Sequence, residues 1–125
     1  MIKLGGKLRV TGESGEQYFF DKYFFHKEAH PHFDSNAGVY LFLKKKNNGK
    51  FETIYCGVTN DMSQMFYKHV KGKCILKGKP NRVCFLSVPT EEERSHVAQD
   101  ILQNDKYDFC CNTSLKQEVS VGSPL

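Results

Sequence analysis

The sequence has no apolar run that approaches the roughly 18 residues of a membrane-spanning helix. Its first residues, MIKLGGKLRV, lack the apolar core of a secretory signal peptide. Five cysteines are present without a CxxC pair, so neither a zinc site nor a disulfide framework is expected. These absences predict a cytoplasmic protein in a reducing compartment. Cys110 and Cys111 are interpreted as small buried apolar groups, with a redox pair as the alternative.

Acidic residues are missing from one long stretch, since residues 62–90 contain no Asp or Glu. The chain has a net charge of +4, and a second group of lysines lies at 44–46 and 50. Cations concentrated in this way release counterions when they meet phosphates, which favours binding to DNA or RNA. A solvated lysine-rich surface is the alternative. The basic residues of the acid-free stretch are Lys68, Lys71, Lys73, Lys77, Lys79 and Arg82.

A chain of 125 residues is long enough for one domain with its own core. Residues 1–34 are interpreted as an accessory segment packed on that domain, 35–113 as the domain and 114–125 as a polar tail. The accessory segment begins with two short predicted strands, and its aromatic run FFDKYFFHKEAHPHF fits helix and strand almost equally well. The histidines in this run have no carboxylate or cysteine to complete a ligand set, so no metal site is predicted.

The clearest predicted element is a hairpin over residues 37–57, with alternating apolar residues and the turn sequence KKNNGK. A helix over 60–71, a basic loop and a strand over 82–88 follow. A second helix begins at a capping box formed by Thr90 and Glu93. This order predicts an α+β fold, in which helices flank a small three-stranded antiparallel sheet (β-β-α-β-α) beside the N-terminal accessory segment.

Two tyrosines stand close to glycines at opposite ends of this hairpin, and a threonine, a histidine, an aliphatic pair and an asparagine follow at characteristic places. These residues are Gly38-Val39-Tyr40, Tyr55-Cys56-Gly57, Thr59, His69, Ile101-Leu102 and Asn112. The pattern resembles the GIY-YIG endonuclease superfamily, and the resemblance covers about residues 37–112. It implies the β-β-α-β-α fold of that family and a phosphodiesterase site between the two tyrosines.

The resemblance also implies a role for each matching residue. Tyr40 and Tyr55 would meet on one sheet face beside the scissile phosphate, where a phenol orients or deprotonates water, and His69 and Asn112 would complete the catalytic set. The family also uses an arginine for the phosphate charge and a glutamate for one divalent metal, here Mg²⁺ or Mn²⁺ if the site is active. The residue types alone allow a plainer interpretation, in which the tyrosines pack across the hairpin and His69 belongs to the core.

The arginine and glutamate positions are not matched. Met65 stands at the arginine position and has no charge for a bidentate phosphate contact. Ala98 stands at the glutamate position and has no oxygen for a hard cation. Lys68 would supply charge only from a shifted position, and Glu91 lies about 10 Å along the helix from Ala98. Catalysis is therefore expected to be impaired.

Three functions remain consistent with these residues. The first is a catalytically impaired nuclease-like domain that binds nucleic acid through the basic residues of the acid-free stretch. The second is an active metal-dependent endonuclease whose catalytic groups have moved. The third is a protein-interaction module that uses exposed aromatics, whose burial against the sheet is the alternative. The aromatics in question are Tyr18, Phe19, Phe20, Tyr23, Phe24 and Phe25.

Overall fold

The computed structural model describes residues 3–26, 33–64 and 72–112, and the structural statements below refer to these residues. The strands are β1 (Lys3–Thr11), β2 (Gln17–Phe24), β3 (Gly38–Lys45), β4 (Phe51–Thr59) and β5 (Arg82–Ser87). The helices are α1 (Gly72–Lys77) and α2 (Glu91–Leu102), and a 3₁₀ turn lies at Met62–Gln64. None of the helices in this part of the chain is long and apolar enough to cross a membrane.

The strands form one antiparallel sheet in the order β1-β2-β5-β3-β4. The predicted fold class, a three-stranded sheet flanked by helices in β-β-α-β-α order, is therefore wrong. The accessory segment contributes β1 and β2 to the same sheet, because β2 pairs with β5 in a register that includes Asp21↔Phe85 and Tyr23↔Val83. This pairing makes the aromatic residues up to Phe24 a strand, and the described fold is β-rich with few helical residues.

Other predicted elements are confirmed. The hairpin consists of β3 and β4, and its turn places Gly49 at a φ of 84°, a conformation that glycine adopts without steric cost. The strand predicted over 82–88 is β5. Thr90 caps α2, since its hydroxyl accepts a 3.2 Å hydrogen bond from the Glu93 N–H and thereby satisfies a free donor of the first turn.

The first helix differs from its prediction over residues 60–71. Met62–Gln64 form a 3₁₀ turn, in which the Asp61 carboxylate accepts a 3.0 Å hydrogen bond from the Ser63 N–H. Residues 65–71 lie outside the described part of the chain. The helix α1 instead occupies part of the predicted basic loop, where Ile75 is buried against the sheet and fixes the short helix in place.

Both faces of the sheet are covered, because all of the residues from 38 to 43 in β3 are buried and successive side chains point to opposite faces. We call one side the α2 face; it packs Val39, Leu41 and Leu43 against Val97, Ala98 and Ile101. We call the other side the tyrosine face; it packs Tyr40, Phe42 and Tyr55 with Val83, Phe85 and, from α1, Ile75. The sheet therefore separates two apolar clusters.

The sheet curls around the α2 face until its edge strands approach each other. Leu8 of β1 and Phe51 of β4, which come from opposite edges, line one apolar cavity of about 170 Å³. The chain after α2 bonds to both edges. The Tyr107 hydroxyl accepts a 3.1 Å hydrogen bond from the Thr11 N–H, and the Thr53 hydroxyl donates a 2.8 Å hydrogen bond to a backbone carbonyl of this segment.

Asp100 joins α2 to the turn between β1 and β2. Its buried carboxylate accepts hydrogen bonds from the Ser14 N–H at 2.9 Å, the Ser14 hydroxyl at 2.7 Å and the Tyr18 hydroxyl at 2.7 Å. Gly12 lies so close to this carboxylate that a Cβ at that position would overlap it. Burial alone would raise the pKa of Asp100, but the hydrogen bonds from Tyr18 and Ser14 outweigh it and hold the pKa below its usual range.

Replacing Asp100 with Asn is expected to lower the free energy of unfolding by about 1 to 3 kcal/mol, because buried donors lose a charged acceptor. The native pKa is depressed, so the carboxylate's contribution is complete above about pH 4 and is lost as the pH falls through the native pKa. Urea unfolding at neutral and acid pH should show a difference that shrinks on acidification. Equal loss from Asp105→Asn, an exposed control, would contradict the assignment.

Candidate functional site

Tyr40 and Tyr55 meet on the tyrosine face. Tyr40 of β3 lies opposite Gly57 of β4, and Phe42 lies opposite Tyr55, so the tyrosines are diagonal neighbours across the hairpin. Their ring centroids are 6.0 Å apart, and the ring planes are inclined by 38°. The two tyrosines that stand at opposite ends of the hairpin sequence thus form one pair in the folded protein.

The glycines next to these tyrosines make room for the rings. A Cβ at Gly57 would lie 2.5 Å from the Tyr40 hydroxyl oxygen and 2.6 Å from a ring carbon of Tyr55. A Cβ at Gly38 would lie 2.7 Å from ring carbons of Phe85 and would collide with the Leu86 carbonyl oxygen. Distances under 3.0 Å are too short for a real side-chain carbon, so packing alone requires glycine at both positions.

Both phenols are buried, with relative exposures of 4% for Tyr40 and 9% for Tyr55. Burial raises the pKa of Tyr40, and the nearby Tyr55 raises it further. Burial likewise raises the pKa of Tyr55, with a smaller contribution from Cys56. The phenols are therefore neutral at physiological pH, where they can donate hydrogen bonds but do not act as strong bases.

The described side chains that cluster with the pair are apolar. Tyr40 packs edge-on against Phe42, with ring centroids 5.9 Å apart. A site of this kind favours neutral groups, because an isolated charge loses its hydration there. The other buried side chains of the cluster are Phe25, Ile54, Met62, Ile75, Val83, Phe85 and Cys111.

Asn112 holds the strand that carries Tyr55. Its side-chain oxygen accepts a 2.6 Å hydrogen bond from the Cys56 N–H, and its side-chain amide donates a 2.9 Å hydrogen bond to the Cys56 carbonyl. Within the described part of the chain β4 is an edge strand, so these backbone groups have no neighbouring strand there on that side. The Asn112 amide replaces that strand at Cys56, between Tyr55 and Gly57, which is a structural role beside the tyrosine pair.

A disulfide joins Cys74 of α1 to Cys111, the residue before Asn112. The expectation that the cysteines are all reduced is therefore wrong for this pair, and Cys111 is buried as half of a disulfide. Cys110 is free and exposed, so its predicted burial is also wrong, whereas Cys56 and Cys84 are free and buried. The paired cysteines are 37 residues apart and belong to no spacing motif, so nothing in the sequence indicated their pairing.

Among the described residues, Ala98 is the other position that the resemblance singles out, and it lies away from the tyrosine pair. Ala98 is buried on the α2 face, on the opposite side of the sheet from Tyr40 and Tyr55. His69 and Met65 lie outside the described residues, and their predicted roles stay predictions. No three His, Cys, Asp or Glu side chains are grouped as a metal site within residues 3–26, 33–64 and 72–112.

The predicted nucleic-acid-binding residues fall into two groups. Lys73, Lys77 and Lys79 are exposed on α1 and just after it, beside the tyrosine face. Arg82 lies on the α2 face, where its guanidinium carbon is 4.4 Å from the centre of the Phe24 ring. Lys68 and Lys71 lie outside the described residues.

The front aromatics are divided between core and surface. Tyr18, Phe20 and Phe25 are buried, and Tyr23 packs against the tyrosine-face cluster. Phe19 and Phe24 remain exposed, at 50% and 44%. Because Phe19 lies on the tyrosine face and Phe24 on the α2 face, the exposed rings do not form the continuous aromatic patch that a protein-interaction surface would need.

Replacing Asn112 with Ala is expected to lower the free energy of unfolding by about 1 to 3 kcal/mol, because the N–H and carbonyl of Cys56 lose their partners. Asn48→Ala, which removes an exposed amide in the hairpin turn, is the matched control. Urea unfolding of the oxidised protein measures both variants. Equal stability of Asn112→Ala and wild type would contradict the structural role.

Alkaline titration should show that Tyr40 and Tyr55 ionise only as the protein unfolds. Their native pKa values are raised, so their stabilising contribution is complete below about pH 10 and is lost as the pH rises beyond that value. Tyrosinate absorbance and circular dichroism, recorded together, measure this coupling. Tyr40→Phe should reduce the tyrosinate absorbance that appears during unfolding and leave the earlier rise unchanged. If Tyr40→Phe instead reduced the absorbance that appears while the protein is still folded, the burial of Tyr40 would be contradicted.

No protein-family model, curated protein or solved structure matches this chain. The resemblance to the GIY-YIG endonucleases therefore rests on the residues quoted above, and the β-β-α-β-α fold that it implied is not the fold observed. The Ala98 position, which lies on the face opposite the tyrosine pair, adds nothing to the resemblance.

Proposed function

We propose that this chain is a GIY-YIG nuclease-like domain that is catalytically impaired and binds nucleic acid through a basic surface. The observation that carries the proposal is the pairing of Tyr40 with Tyr55 beside Gly57 on one sheet face, at 6.0 Å between ring centroids. Such a pair is what the resemblance requires of a folded chain. If Tyr40 and Tyr55 lay on different faces of the sheet, the resemblance would have no structural basis.

The chemistry of the pair supports impaired catalysis. Cleaving a phosphodiester needs an activated nucleophile and positive charge close to the non-bridging oxygens. The raised pKa values of Tyr40 and Tyr55 disfavour the phenolate that would take a proton from water. The rings also pack among apolar side chains such as Met62 and Ile75, an environment that disfavours a doubly charged transition state.

Phosphate binding, in contrast, needs only accessible cations. Lys73 and Lys77 stand four residues apart on α1, so both extend from the same side of this helix, and Lys79 lies two residues after its end. Ile75, midway between Lys73 and Lys77 in the sequence, packs α1 onto the tyrosine face, so these exposed lysines lie on the outer side of the helix. The cations can therefore contact the backbone of a nucleic acid without entering the apolar site.

The basic surface can be tested by salt-dependent binding of a labelled DNA or RNA. The double variant Lys73→Gln/Lys77→Gln should flatten the dependence of log affinity on log salt by about 1.5, since each lost phosphate contact removes 0.7 to 0.9. The control Lys22→Gln/Lys106→Gln removes the same charge from the α2 face and from the segment after α2. Equal flattening by both pairs would contradict the assigned surface.

Cleavage assays with magnesium or manganese distinguish the other functions. We expect binding without nicking of single-stranded or double-stranded substrates. Metal-dependent nicking that Tyr55→Phe abolishes would overturn the impaired state and identify an active endonuclease with moved catalytic groups. Failure of the wild-type protein to bind any nucleic acid would overturn the proposed function as a whole.

A further inference from the structure

Arg9 and Phe19 form an exposed cross-strand pair at the outer part of the sheet. They lie opposite each other in the register between β1 and β2, and the Phe19 side chain is 50% exposed. Arg9 is exposed as well, and among the described residues it forms no ion pair with a carboxylate. A guanidinium beside an exposed aromatic ring is a surface that can bind planar, negatively charged ligands.

This pair lies on the tyrosine face. A row of directly paired residues crosses the sheet from Lys7 to Asp21, then to Phe85 and to Tyr40, and Phe85 and Tyr40 belong to the tyrosine-face cluster. Because side chains two residues apart on a strand share a face, Phe19 lies on the same side as Asp21. At roughly 4.8 Å between strands, Phe19 is about 12 Å from Tyr40 along the sheet.

The charge around Phe19 is suited to a polyanion. Lys3 and Lys7 both approach the Asp21 carboxylate, whose pKa the hydrogen bond from Lys7 lowers. One carboxylate therefore neutralises part of the charge of two lysines, and Arg9 adds a third cation two residues along β1 from Lys7. The excess of cations leaves positive charge available to phosphates beside the ring.

The second exposed phenylalanine of β2 shows what distinguishes Phe19. Phe24 is 44% exposed, but it lies on the α2 face and the Arg82 guanidinium already covers its ring at 4.4 Å. Phe24 is therefore engaged within the protein. Phe19 has a similar exposure on the same strand, and its neighbouring cations, Arg9 and Lys7, lie beside it on β1.

We propose that Phe19, Arg9 and the neighbouring lysines form a stacking subsite for an unpaired base of single-stranded nucleic acid. An aromatic ring on a positively charged strand surface binds bases of any sequence through their π-faces, while the cations hold the backbone. In a duplex the base faces are already stacked, so the ring selects single strands. This inference rests on the proposed function, and the 12 Å to Tyr40 lies within the reach of a short oligonucleotide.

Fluorescence anisotropy with a labelled oligothymidylate tests the stacking. Phe19→Ala should weaken single-strand binding about tenfold, in keeping with the energy of one base–aromatic stack, whereas Phe24→Ala should leave it unchanged. Phe19→Trp, which keeps a larger aromatic face, should retain or strengthen binding. Thermal unfolding of each variant confirms that the compared proteins are folded, and Phe19→Trp shows the effect even if Phe19→Ala folds poorly.

The salt dependence of binding distinguishes the contribution of the Phe19 ring from that of the Arg9 charge. Arg9→Gln should reduce the slope of log affinity against log salt by about 0.7, because it removes one phosphate contact, while Phe19→Ala should lower affinity without changing the slope. A matched duplex should bind less tightly than the single strand and should respond little to Phe19→Ala.

Each outcome of this experiment decides the inference. The stacking subsite would be overturned if Phe19→Ala kept wild-type affinity for the single strand, or if Phe19→Ala and Phe24→Ala lost equal affinity. A preference of the wild-type protein for duplex would overturn it as well. Each of these outcomes would leave the proposed nucleic-acid binding intact. No binding of either substrate by the wild-type protein would overturn the proposed function and this subsite with it.

Discussion

The strand β3 is apolar on both faces, and this constraint organises the rest of the described chain. Val39 and Leu41 face α2 while Tyr40 and Phe42 face the other side, so both faces have to be covered to keep these side chains from water. The strands β4 and β5 pair with its two edges. Because β5 is itself buried over residues 83–85, it needs a second neighbour, and β2 provides it.

The two faces then carry different kinds of chemistry. The α2 face closes over apolar side chains, and the buried Asp100 carboxylate ties it to the turn between β1 and β2. The tyrosine face contains the buried neutral pair, and exposed groups lie around it. These groups include Arg9 on β1, Phe19 on β2 and Lys73 on α1. Under the proposed function, a polyanion on this face would meet exposed cations around an apolar centre, which favours binding over bond cleavage.

Local signals in the sequence were sufficient where the cause is local. The hairpin follows from alternation and an Asn-Gly turn, and α2 begins at Thr90 because the capping hydroxyl is close in sequence to the N–H that it satisfies. The pairing of β2 with β5 and the Cys74–Cys111 disulfide were missed, since both join residues far apart in sequence. The resemblance identified Asn112 as a site residue but could not show that it bonds to the backbone of Cys56.

Gly57 shows why the tyrosine–glycine pattern and the catalytic positions give separate evidence. A Cβ at Gly57 would lie 2.5 Å from the Tyr40 hydroxyl oxygen, so packing demands glycine whether or not a phosphate is cleaved. A catalytic arginine or glutamate meets no such packing demand. Packing at position 98 instead disfavours a glutamate, because its carboxylate would be buried among Val97 and Ile101 on the far side of the sheet. The pattern therefore identifies a way of packing a hairpin, and activity has to be judged from the charged groups that reach the tyrosines.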